Sequence, residues 1–223
     1  MCSHYQTLKD AELLLQKFGV RTQSLSGKTD MWPRYQGVFI RQPVEHDAGD
    51  EAVPPREAVT GRWGLISATT PASGLDKAGK LSTFNARSET AAKSFTFGNA
   101  WRRAQHCIIA ADAIFEPDWR TGVAIATRFT RSDGAPLGIA GLWDRWRDAA
   151  GQLQESFTML TINADHDPLF SQYHQAGHEK RMVVMLPEGA YGDWLTASAG
   201  DTRDFLLPYP ADKLLATPFK KNG

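Results

Sequence analysis

Cys107-Ile108-Ile109-Ala110-Ala111-Asp112-Ala113-Ile114-Phe115 is the longest nearly apolar stretch of the chain, and its reading decides the fold. It is far shorter than the roughly 20 residues that span a bilayer, and Asp112 interrupts it, so it is not a membrane helix. Its aliphatic, β-branched and aromatic content, bounded by turn formers, predicts a strand over 106–115. Segments of the same character recur at 37–41, 62–66, 122–129, 137–143, 156–163 and 181–186. Helices are fewer. Thr7-x-x-Asp10 has the form of a capping box, Ala11, Leu14, Leu15 and Phe18 follow at helical spacing, and Gly19 stops the run, which predicts a helix over 8–18. A second helix is expected over 189–198. Residues 42–58 and 67–82 are polar and aperiodic and read as surface loops. There is no internal repeat and no regular helix–strand alternation, so the expected fold class is α+β: a single compact domain built on a mainly antiparallel, barrel-like sheet with flanking helices. Residues 1–223 are expected to form one unit, with a core over about 2–210 and a short C-terminal tail.

The composition narrows the function classes. A chain of 223 residues with 42% hydrophobic content supports one sizeable core. Basic and acidic residues number 25 each, so there is no global pull toward nucleic acid or membrane, and a polyanion must meet a local patch. The two cysteines are too few for a disulfide framework, and the N-terminus lacks a signal-peptide pattern, so the expected location is cytoplasmic. His-x-x-His, Cys-x-x-Cys and His-Glu-x-x-His spacings are missing, as is a Gly-rich phosphate loop; neither metal nor cofactor is expected.

The two cysteines stand in unlike contexts. Cys107 lies in the apolar run, where a free cysteine behaves as a small buried hydrophobe. Cys2 follows the initiator Met1 directly, in Met1-Cys2-Ser3-His4-Tyr5-Gln6. Removal of Met1 would leave an α-amine with a pKa near 7.7–8.0 beside a thiol near 8.5, a 1,2-aminothiol. The amine can condense with an aldehyde to an imine, and the sulfur can close on the imine carbon as a five-membered thiazolidine. An internal cysteine cannot do this. Three other readings stay open: an incidental residue in a frayed terminus, the nucleophile of an N-terminal-nucleophile glutamine amidotransferase, or a single-stranded DNA binder without chemistry. The amidotransferase reading expects Cys-Gly-Ile or Cys-Gly-Val and an internal Asn-Gly, whereas Ser3-His4 follows Cys2 and the sole Asn-Gly is the terminal Asn222-Gly223.

Further blocks occur in order along the chain: Trp63-Gly64-Leu65-Ile66, Asn85-Ala86-Arg87-Ser88-Glu89-Thr90, Phe115-Glu116-Pro117-x-Trp119, Ala140-Gly141-Leu142-Trp143 and Arg181-Met182-Val183-Val184. With Met1-Cys2 they resemble the SRAP family, the abasic-site processing proteins of the SOS response, over residues 2 to about 210. The resemblance implies a monomer that binds single-stranded DNA containing an abasic site, with no membrane partner, and that is nucleoid-associated when bound in a bacterial or phage setting. It implies a thiazolidine DNA-protein crosslink through Cys2, autocatalytic release of Met1, and in some members strand cleavage or crosslink reversal. The catalytic set implied is Cys2, Asn85, Glu116 and one of His174 or His178, with His174 favoured because a short Gly-containing loop precedes Glu179-Lys180-Arg181. Asn85 would orient the attack and Glu116, at the end of an apolar strand, would carry protons. Arg87, Arg34, Arg102, Arg103 and Arg181 are the expected phosphate contacts, and Trp63 a face for an unpaired base. The usual Cys-Gly-Arg opening is replaced by Cys2-Ser3-His4, which removes a phosphate contact unless His4 or Arg34 compensates.

Overall fold

The structure is a computed structural model that describes residues 2–22, 28–44, 53–148 and 150–219. Its first half contains β1 (Tyr5–Thr7), α1 (Ala11–Phe18), β2 (Asp30–Met31), β3 (Gln36–Arg41), β4 (Glu57–Trp63), α2 (Leu75–Lys80), β5 (Asn85–Arg87), α3 (Ser88–Ala91) and α4 (Gly98–Arg102). The second half contains β6 (His106–Asp118), β7 (Ile125–Arg131), β8 (Leu137–Arg147), β9 (Leu153–Asn163), β10 (Arg181–Val183), β11 (Met185–Leu186), α5 (Tyr191–Thr196) and β12 (Leu214–Pro218).

The apolar stretch is a strand, and the sheet is organised around it. β6 pairs with β3 and β8; β8 continues to β9, β9 to β4 and β4 to β3, which closes a five-stranded barrel. All these pairs are antiparallel except β4 with β9. Ile108, Ile109, Phe39, Phe157 and Met159 are fully buried in the core. Closure also needs close backbone approach. A Cβ at Gly141, on β8 between β6 and β9, would lie 2.9 Å from Cys107 Sγ and against Thr158 O, so a larger residue there would force the barrel apart.

Two barrel strands are longer than the barrel itself. The second half of β6 leaves β8 after Ala111 and is flanked by β1 and β7. The end of β9 is flanked by β5 and β10. These two overhangs carry the residues of the candidate site.

Several boundaries differ from expectation. α1 begins at Ala11, because Asp10 is the cap, its carboxylate accepting from the amides of Glu12 and Leu13, while Thr7 belongs to β1. Gly19 does end the helix, in left-handed conformation at φ 73°. The strand expected at 62–66 is β4, ending at Trp63, so residues 57–58 of the expected 42–58 loop are strand; residues 45–52 lie outside the described segments. The expected 67–82 loop contains α2. The segment expected at 181–186 splits, because Val184 turns the chain from β9 to β8: its amide donates to Leu160 O and its carbonyl accepts from the Ala140 amide. The helix expected at 189–198 is α5, preceded by a 3-10 turn. β12 pairs with β7 through five residues, so the fold continues past 210 to Pro218 in place of a tail. Among the described residues, no helix is long and apolar enough to cross a membrane.

Candidate active site

The N-terminal segment is laid along the β6 overhang. Cys2, Ser3 and His4 lead into β1, and the Phe115 amide donates to His4 O at 3.0 Å. The Cys2 thiol donates to the same carbonyl at 3.3 Å and is buried. From the β9 side, Asn85 on β5 donates its Nδ2 to Cys2 O at 2.6 Å. The backbone of Cys2 is thereby fixed between the two overhangs. Asn85 Oδ1 is buried and finds no hydrogen-bond donor among the described residues, so it is an acceptor suited to an incoming N–H or O–H.

Glu116 follows Phe115 on β6 and is 1% exposed. Burial raises its pKa to about 7, so both protonation states are populated near neutral pH. His174 reaches it from the loop before β10. That loop is bent by His174 itself, in left-handed conformation at φ 65°, and its amide is held by Pro117 O at 2.9 Å. The imidazole Nε2 lies 3.3 Å from Glu116 Oε2 and 3.2 Å from Arg181 O. Both are acceptors when Glu116 is ionised, which assigns the Nε2–H tautomer on hydrogen-bonding grounds. Burial lowers the His174 pKa to about 4, so the ring is neutral at pH 7 and its approach to Glu116 is not an ion pair.

Burial first, then the nearby Glu116 carboxylate, pushes the Cys2 thiol up to about 12. The sulfur is therefore a thiol at neutral pH, unlike a cysteine activated as a resident thiolate. Chemistry at this position must start elsewhere and call on the sulfur only when a base can take its proton. Glu116 is the carboxylate whose charge is felt at the thiol.

The expected residues divide into those at this site and those away from it. Cys2, Asn85, Glu116 and His174 come together; His178 is exposed on the loop, so the imidazole at Glu116 is that of His174. Arg87 is exposed at the end of β5 and pairs with Glu179 at 2.7 Å. Arg34 is exposed, with one guanidinium nitrogen on Lys80 O at 2.7 Å. Arg102 and Arg103 are exposed but precede the start of β6, the opposite end from Glu116, roughly 30 Å of extended strand away.

Two expectations are corrected. Trp63 is fully buried, edge-on to Tyr5 and Phe84, and its Nε1 donates to Phe84 O at 3.0 Å, so it offers no face to a base. Arg181 is 2% exposed and holds Glu89 and Glu179 at 2.9 Å and Thr161 O at 2.7 Å; it is an internal clamp between loop and sheet, not a phosphate contact. His4 is also committed. Its ring lies between Trp32 at 4.2 Å and Phe115 at 3.9 Å, with Nε2 on Asp30 Oδ1 at 2.7 Å, so it does not replace a phosphate-binding arginine. Nothing in the spacing of residues 4, 32 and 115 signals this stack, because it joins three segments distant in sequence.

Comparison with known proteins agrees with this geometry. The family model for SOS response associated peptidase (SRAP) matches residues 1–222. The chain is similar to Abasic site processing protein YobE of Bacillus subtilis, with 30% identity over 161 residues, covering 70% of this chain and 67% of that one. A solved structure of a protein from Bordetella bronchiseptica is 64% identical, with a TM-score of 0.91 and coverage of 99% of this chain and 100% of that one. A second, from Bacteroides thetaiotaomicron, is 21% identical and shares the fold, with a TM-score of 0.78 and coverage of 98% and 92%. With the family model matched over residues 1–222, the chain belongs to the SRAP family.

Proposed function

We propose that the protein recognises abasic sites in single-stranded DNA and bonds to them through Cys2 once Met1 has been removed. The observation that carries this reading is the Cys2 backbone, held by Asn85 at 2.6 Å in a buried cluster that also contains Glu116 and His174. While Met1 is attached, the Cys2 nitrogen is an amide and has no nucleophilic lone pair. Hydrolysis of the Met1–Cys2 bond, which consumes one water, turns that nitrogen into an amine. This is the peptidase step, for which Glu116 is the proton carrier in the pocket.

The ring-opened abasic sugar presents an aldehyde at C1′. The amine nitrogen bonds to C1′ as one of its protons moves to the former aldehyde oxygen, and the resulting hydroxyl leaves as water after protonation by Glu116, giving a protonated imine. Glu116, now a carboxylate, takes the thiol proton as sulfur bonds to C1′, which leaves a neutral N–H in the ring and returns Glu116 to its acid form. The sum is aldehyde plus aminothiol giving thiazolidine plus water, with no change of oxidation state. His174 Nε2, 3.3 Å from Glu116 Oε2, is near enough to steady the ionised form. Asn85 Oδ1 supplies the acceptor that orients the amine or a sugar hydroxyl. The thiol's raised pKa fits this order of events, since the amine acts first and the sulfur closes second.

Ring closure also protects the strand. An imine acidifies the neighbouring C2′ proton and so promotes β-elimination; the thiazolidine has no C=N bond and removes that route. Lyase activity is then what remains when closure is slow. Recognition needs a cationic path, to which exposed Arg87 and Arg34 are the proposed contributors, so binding should weaken with salt and show little base preference. All the pocket residues come from one chain, and the reading takes a monomer as the acting unit.

The test uses Met1-processed protein and single-stranded DNA with one aldehydic abasic site, resolved on a denaturing gel. A retained DNA band is expected for the wild type and none for Cys2→Ala or Cys2→Ser. No band in the wild type, or a band that persists in Cys2→Ala, overturns the proposal.

A further inference from the structure

The replacement of the usual basic residue by His4 leaves a second feature beside the pocket. His4 is sandwiched between parallel rings: Trp32 at 4.2 Å with an interplanar angle of 8°, and Phe115 at 3.9 Å with 12°. Since both rings lie parallel to His4 at about 4 Å, they occupy its opposite faces. Beyond Phe115 the stack is closed by Phe219, edge-on at 4.9 Å. Its other end is open: Trp32 is 44% exposed. The stack is also fixed laterally, because Asp30 holds His4 Nε2 at 2.7 Å and β2 pairs Met31 with Tyr5.

This stack is mechanically part of the Cys2 pocket. The carbonyl of His4 accepts both the Cys2 thiol and the Phe115 amide, and Glu116 follows Phe115 on β6. A rigid flat face therefore ends the same run of contacts that positions the sulfur. Arg34, two residues on from Trp32, is exposed with one guanidinium nitrogen on Lys80 O at 2.7 Å, and the Lys28 ammonium sits 4.4 Å from the Tyr35 ring. The acidic neighbour, Asp30, is turned toward His4 and Gln6.

We propose that the outer face of Trp32 stacks on the unpaired nucleobase adjacent to the abasic nucleotide and so sets how the strand lies over Cys2. The inference rests on the DNA-binding reading above. Its chemistry is specific to a lesion that lacks a base: the neighbouring base has lost one stacking partner and presents a bare π face. Trp32 presents the other, already backed by the parallel rings of His4 and Phe115. Every base has a π face, so the contact carries little sequence preference. Trp32 is a positioning residue, since it touches no reacting atom.

The experiment uses oligonucleotides carrying a tetrahydrofuran abasic analogue, which has no aldehyde and cannot crosslink, with 2-aminopurine on its 5′ or 3′ side. Binding of the wild type is expected to quench one of the two probes. Trp32→Leu, which keeps apolar cover without a flat face, is expected to abolish that quenching and weaken binding about tenfold, while Trp32→Phe retains most of both. Quenching by Trp32→Leu equal to wild type, or no quenching of either probe by bound wild type, overturns the inference. Crosslinking of aldehydic DNA by the wild type is scored separately. Its absence with quenching intact defeats the covalent reading alone, and its presence with Trp32-independent fluorescence defeats this inference alone.

Discussion

Cys2 and Cys107 are both fully buried, and both thiols are pushed above their ordinary value by burial, yet they occupy two different kinds of pocket. Around Cys107, Gly141 gives the sulfur room, the Cys107 carbonyl accepts from Trp194 Nε1 at 2.9 Å, and the Arg41 charge offsets part of the rise. Around Cys2 the neighbours are proton carriers and an unfilled acceptor, namely Glu116, His174 and Asn85 Oδ1. Burial and thiol pKa do not tell the two apart. What separates them is whether the buried groups next to the sulfur can accept or release a proton, and whether the adjoining nitrogen can be freed.

The largest break in that comparison is Cys2→Ala, for which the covalent product is expected to vanish at any incubation time. Next is Glu116→Gln, which keeps the shape of the side chain and removes its proton transfer. Its crosslinking rate should fall by about 10²–10⁴ and lose the pH dependence centred near 7, measured as single-turnover rates from pH 5.5 to 8.5. The same substitution has an opposite sign on stability. A carboxyl whose folded-state pKa is raised from 4.5 to about 7 holds a proton that the unfolded chain releases, so the native state loses stability as pH rises through that window. Glu116→Gln should therefore be more stable than wild type at pH 8, by about 3 kcal/mol, with the gain shrinking toward pH 5 in urea melts. A variant both slower and more stable is the mark of a group kept buried for chemistry.

Asn85→Ala comes after it. It leaves Glu116 in place but frees the Cys2 carbonyl, so the crosslinking rate should drop by about a hundredfold through misplacement of the amine. The pH midpoint near 7 should stay where it is. A shifted midpoint would show that Asn85 acts on the titration of the pocket rather than on the position of Cys2.

How much of this was legible follows from which contacts are local. The β6 strand could be read from its own residues, and Gly19 from its place after the apolar positions of α1. Cys2 and Glu116 were legible because each declares its chemistry by position, one behind Met1 and the other at the end of an apolar strand. α2 was hidden because none of its residues is buried, so no apolar period marks it. β12 was hidden because Leu214 alone among its five residues is buried and Pro218 ends it. Trp63 and Arg181 show the remaining gap. Their residue types suggest stacking and phosphate binding, but Trp63 Nε1 is satisfied 21 residues away and Arg181 finds Glu89 at a separation of 92. Partners that distant leave no trace in a local pattern, and neither does barrel closure through β6 and β8.

The smallest effect tests the comparison from its other side. Cys107→Ala removes a buried sulfur from the barrel wall, where the side chain contributes only packing. Gly141 leaves room for the sulfur, so the substitution opens a small cavity and loses contact area, and a stability cost of about 1 kcal/mol is expected. The crosslinking rate and its pH midpoint should be unchanged within twofold. Unfolding midpoints and single-turnover rates on one preparation check both statements. A rate that fell along with stability would mean that the barrel wall and the Cys2 pocket are coupled through β6. The contrast between the two cysteines would then be one of degree along a single strand, rather than of two independent environments.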